Sequence, residues 1–88
     1  MAVVFIPVQI RKLTEGVQQI ELDATTVGEV VEQLEARFHG IKARLCQNDA
    51  LSPALQVAID DVISTRGLRA KVPANGEVHF IPAIGGGN

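Results

Sequence analysis

The sequence predicts a two-layer α+β domain, one small mixed sheet covered on one face by a single main helix. Three observations lead there. Only Val27 to Phe38 repeats its apolar residues at helical spacing. Strand-like runs lie on both sides of it, and 88 residues leave room for one core.

Val3 to Ile10 is apolar and β-branched, and reads as a first strand buried on much of both faces. Leu13-Thr14-Glu15-Gly16 is turn material, and Val17 to Leu22 then alternates as a half-exposed strand, completing a hairpin. Thr26-Val27-Gly28-Glu29 has the form of a capping box: the Thr26 hydroxyl accepts from the Glu29 amide, and the Glu29 carboxylate reaches back. Behind it Val27, Val30, Val31, Leu34 and Phe38 make one apolar stripe. Glu29, Glu32, Glu35 and Arg37 lie largely off it, and Gly40 is a natural stop.

Residues 41 to 54 show no single period, so they read as a helical turn at Ile41–Leu45 and a loop through Asn48-Asp49 and Ser52-Pro53. Leu55 to Ile59 alternates again. Asp60-Asp61 stops it, and Val62-Ile63 pairs back briefly. Pro73-Ala74-Asn75-Gly76 is a turn, and Glu77 to Ile81 forms the last strand. A hairpin followed by one helix needs a single sheet, and the final strand finds its place beside the first. That is a β-grasp, with a domain over residues 1–82 and a flexible glycine-rich tail over 83–88.

Composition narrows the function. The chain is 47% hydrophobic and carries a net charge of −2, with three aromatic residues, Phe5, Phe38 and Phe80. Base-stacking platforms and a dominant basic face are missing, which argues against a nucleic-acid partner. No run approaches the ~18 apolar residues of a membrane span, and no signal peptide is recognisable. One cysteine, Cys46, forms no internal disulfide and has no zinc-ligand spacing, which points to the cytoplasm.

No residues assemble an active site. His39 suits a helix end and His79 alternates outward on the last strand, neither with a catalytic partner at fixed spacing. Cys46 has no histidine to support it as a nucleophile and reads as an inert thiol. Gly85-Gly86-Gly87 lacks the Lys-Ser/Thr and helix of a phosphate loop. The chain is therefore expected to be no enzyme and to bind no cofactor or metal. What the glycines offer is a slim peptide without Cβ atoms, able to thread a narrow channel and present a carboxylate to another protein. The tail reads as a substrate.

The strand order, the Thr-Val-Gly-Glu helix start and the closing Asn-Gly-Glu-Val-x-Phe-Ile-Pro-Ala-Ile-Gly-Gly-Gly resemble the ubiquitin-like sulfur carriers of the MoaD/ThiS type. Members of that family commonly end Pro-Ala-Val-x-Gly-Gly, which lays their last two glycines on Gly86 and Gly87. Ile6-Pro7 with Arg11, Thr14 and Gly16 looks more like the molybdopterin and cysteine-biosynthesis branches than the thiamine branch.

The resemblance implies that an E1-like enzyme spends ATP to adenylate Gly87. Sulfur then replaces AMP, and the resulting thiocarboxylate serves a sulfur-accepting synthase in molybdopterin, thiamine or cysteine biosynthesis. Gly85 and Gly86 thread into the partner. Asn88 departs from the pattern: either a protease removes it to expose Gly87, or it blocks activation and the chain is a docking subunit. A ubiquitin-like modifier joined to lysines through Gly87 is a further alternative. Phe5 and Phe80 lie either on the sheet face opposite the helix, as docking contacts, or in the core. Arg66 and Arg69, in a segment reaching toward the tail, are the basic candidates for partner contact.

Overall fold

The computed structural model describes residues 1–83. Its main sheet has the order β2-β1-β7-β5-β6, formed by β1 (Ala2–Phe5), β2 (Gln19–Leu22), β5 (Leu55–Ile59), β6 (Val62–Ser64) and β7 (Glu77–Pro82). β7 lies parallel to β1, with Phe5 opposite His79, and antiparallel to β5, with Val57 opposite Phe80. The first and last strands are neighbours at the sheet centre, the β-grasp arrangement that the element order predicts.

Helix α1 (Val27–Arg37) covers one face. Thr26 caps it, its hydroxyl oxygen accepting from the Glu29 amide at 3.1 Å. The Glu29 carboxylate reaches one residue further back than a simple capping box requires, accepting from the Thr25 amide at 2.7 Å and the Thr25 hydroxyl at 3.1 Å. Val27, Val30, Val31 and Leu34 share one buried cluster with Val4, Ile6, Leu22, Val57, Val78 and Phe80 from the sheet side. Burial of each large side chain there stabilises the fold by roughly 1.5–3 kcal/mol. Gly28 admits a close neighbour. A Cβ there would meet the Leu68 carbonyl oxygen at 3.3 Å, so glycine lets the 3₁₀ turn Gly67–Arg69 rest on the helix start.

Two segments depart from expectation. The first strand ends at Phe5 rather than Ile10, because Pro7 opens a 3₁₀ turn over Val8–Ile10. The other departure follows α1. A short helix, α2 (Ile41–Leu45), does form, but Gly40, at φ 101°, is its N-cap, and Phe38 is the C-cap of α1. A small hairpin of β3 (Cys46–Gln47) and β4 (Ala50–Leu51) then replaces the expected loop, turned by Asn48 and Asp49 at φ 55° and 64°.

Candidate functional site

The end of β7 is the candidate site, since it leads directly into residues 84–88. Odd-numbered residues of this strand bond toward β5: the Asp60 amide donates to the Glu77 carbonyl at 3.0 Å, and the Ala83 amide donates to the Ala54 carbonyl at 2.9 Å. Even-numbered residues face β1, as the Val3 amide on the Gly76 carbonyl at 2.9 Å shows. Continuing that parallel ladder past Phe5 would need the N–H of residue 7 and then the N–H of residue 82. Both are proline. The two missing donors end the ladder on the β1 side, and Ala83 is tied to the sheet from the β5 side.

Each flank of this strand end carries a recess. On the helix side a cavity of about 310 Å³ is lined by Pro7, Ile10, Arg44, Leu45, Leu55 and Pro82, among others. On the opposite face a groove of about 330 Å³ runs along Phe5, Pro7, Val8, His79 and Ile81. Between them the Pro7–Val17 turn is firmly built. The Arg11 guanidinium donates to the Ile6 carbonyl at 3.1 Å, and Thr14 is fully buried, its hydroxyl facing the Arg11 and Val17 carbonyls. Val8 stands out from this mount at 71% exposure.

The alternation of β1 and β7 separates the two candidate phenylalanines. Phe5 lies on the face opposite α1, its ring stacked on His79 with centroids 4.1 Å apart and planes 5° from parallel. Phe80 points the other way and is 3% exposed, a member of the core. It is a packing residue, not a surface contact. Arg66 and Arg69 are exposed and line a cleft with Asp49, Leu51 and Leu68, separate from both recesses at the end of β7. The basic residue at the helix-side recess is Arg44, which the sequence reading passed over because α2 has no clear period. Gly85, Gly86, Gly87 and Asn88 lie outside the described residues.

A cavity of about 520 Å³, larger than either recess, lies elsewhere, along α1 and α2 at Glu32, Glu35, His39, Lys42 and Cys46. Glu32, Glu35, His39 and Lys42 are bonded among themselves. Glu35 accepts from the Lys42 amide at 2.8 Å and the Gly40 amide at 3.1 Å, and these bonds hold its carboxyl below the usual range. Lys42 is paired with Glu32, which raises the lysine. Burial pushes the Cys46 thiol up, away from the thiolate a nucleophile needs. Size alone does not make this a site. Among the described residues no group of three or more His, Cys, Asp or Glu is placed to hold a metal ion, and no helix is long and apolar enough to cross a membrane.

A mixed sheet with adjacent parallel first and last strands, one covering helix and a glycine sequence after the final strand defines a ubiquitin-like protein of the β-grasp class. Residues 4–87 match the ThiS family, and the chain belongs to it. It is 32% identical to the sulfur carrier protein CysO of Mycobacterium tuberculosis over 96% of both chains. Among solved structures, a chain of the BexX/CysO complex of Amycolatopsis orientalis superposes with a TM-score of 0.88 at 32% identity, covering 98% of this chain and 99% of that one. The crystal structure of Mycobacterium tuberculosis CysO gives 0.85 at 26% identity, covering 96% and 100%. These likenesses favour the cysteine-biosynthesis side of the resemblance.

Proposed function

We propose that this protein is a sulfur carrier in cysteine biosynthesis, a substrate of other enzymes and itself no catalyst, working in the cytoplasm. Gly87 is the loaded residue after a protease removes Asn88. An E1-like enzyme joins the Gly87 carboxylate to the α-phosphate of ATP with release of pyrophosphate. A sulfur nucleophile then displaces AMP, leaving a terminal thiocarboxylate. An acceptor synthase takes the sulfur.

The observation that carries this reading is the family match itself, which extends through the glycines to residue 87 and leaves Asn88 outside. The geometry agrees. From Pro82, five residues reach Gly87, a span of about 17 Å when extended, enough to enter a partner's buried site. Gly85 and Gly86 keep that stretch narrow. The Phe5–His79 face, half-buried and next to the strand end, suits docking of the partner while the tail is inserted.

The test incubates the full-length and Asn88-deleted chains with an E1-like adenylating enzyme, ATP and a sulfide source, followed by intact mass. The expected result is an oxygen-for-sulfur increment on the shortened chain alone, abolished by Gly86→Val. No increment on either form, or ladders of isopeptide-linked protein, would replace the carrier with a docking subunit or a modifier.

A further inference from the structure

The helix-side recess at the end of β7 combines one cation with an apolar lining. Ile10, Leu45 and Leu55 supply the apolar part, and the first two are buried in the core. Among the described lining residues Arg44 alone is charged. Neither ion pair of the described residues, Glu35–His39 or Glu32–Lys42, includes it. Its backbone is firmly placed, because the next residue, Leu45, is buried and its carbonyl accepts from the Ser52 amide at 2.8 Å. Such a recess suits an anion on a short apolar stem.

The last strand leads a group of that kind to its edge. Val78 and Phe80 belong to the core, and Pro82, two residues on, lines the recess. The same alternation brings position 84, an isoleucine, to that side. The sheet offers no further rung beyond Ala83. On the β5 side that rung would pair residue 85 with Ser52, whose amide is committed to Leu45 and whose carbonyl accepts from the Leu55 amide at 3.0 Å. Ile84 to Gly87 extend about 13–14 Å, more than the width of a 310 Å³ recess. Glycine at 85, 86 and 87 allows the backbone to turn back. We propose that this recess is the resting site of the chain's own terminus, with Ile84 against Ile10 and Leu45 and the Gly87 carboxylate on the Arg44 guanidinium. The thiocarboxylate, also an anion, takes the same place after loading. An exposed arginine–carboxylate contact is weak, so the terminus is held part of the time and yields to a partner. The proposal takes Gly87 as the terminus from the carrier reading. Its test uses no adenylating enzyme, so its failure leaves loading untouched, and a failure to load leaves its result standing.

The experiment is NMR on the Asn88-deleted chain labelled with ¹³C and ¹⁵N. Nuclear Overhauser contacts are expected from the Ile84 methyls to those of Ile10 and Leu45. The Gly87 carboxyl should titrate as an acid roughly twofold to fivefold stronger than in Arg44→Gln, because a nearby guanidinium favours the charged form. Arg66→Gln, in the separate cleft, should leave that titration unchanged. Ile84 contacts to Val8 or His79 instead would put the terminus in the opposite groove and overturn the proposal, as would Ile84 contacts on neither side. A Gly87 titration indifferent to Arg44→Gln, or equally sensitive to Arg66→Gln, also overturns it and leaves Arg44 to an acidic group of a partner.

Discussion

Thr14 is fully buried, and its single hydroxyl proton is shared between the Arg11 carbonyl at 3.1 Å and the Val17 carbonyl at 2.9 Å. Thr14→Val keeps the volume and removes the hydroxyl from the Val17 carbonyl, while the Arg11 carbonyl keeps the Gly16 amide at 2.9 Å, so unfolding free energy should fall by about 1–3 kcal/mol. An unchanged denaturation midpoint would mean that the hydroxyl does not hold the Pro7–Val17 turn. Glu35 makes a prediction in pH. Its carboxylate accepts from the Lys42 and Gly40 amides, with His39 beside it, and is held below its ordinary value of 4.5. A depressed folded value means stability that is present above 4.5 and lost as pH falls through the lowered one. Glu35→Gln should therefore flatten the acid side of the stability curve and leave the neutral side less affected in slope. Equal acid sensitivity of both proteins would show that the amide cradle does not discriminate the charged carboxylate.

At the scale of elements, α1 was legible because two independent signals coincide on it, a cap at Thr26 and an apolar stripe from Val27 to Leu34. The β3–β4 hairpin was not, since strands of two residues are too short to show alternation, and its turn residues read equally as a loop. The site was legible in part. Pro82 and the glycines mark the tail in the sequence, but Arg44 reaches the end of β7 only through the packing of α2. The role of Pro7 was also hidden, because an apolar run says nothing about which rung of a ladder lacks a donor. Pro7→Ala tests that role directly. It restores an N–H facing the Phe80 carbonyl, and hydrogen exchange by NMR should find that new amide protected. Fast exchange there would mean that the turn of β1 into its 3₁₀ segment ends the ladder, whatever residue 7 is.

For the whole molecule, the proposed carrier role assigns stability and loading to different parts of the chain. Among the described residues the buried cluster runs from Ala2 to Phe80, with α1 and the sheet supplying it. Leu34, fully buried at its centre, should lose about 2–5 kcal/mol on replacement by alanine, because a cavity is left as well as apolar contact. Truncation after Ala83 should instead leave the melting temperature of the globule close to its original value and abolish thiocarboxylate formation completely. The informative measurement is the cross: loading per folded molecule in Leu34→Ala, and melting temperature in the truncated chain. If Leu34→Ala still loads at the original rate below its melting transition, the globule acts as a carrier whose interior does not enter the chemistry. If truncation lowers the melting temperature substantially, residues 84–88 contribute to the fold, and a tail that is also a structural element could not be handed to another protein without a conformational cost. That coupling would slow delivery in proportion to the stability it supplied.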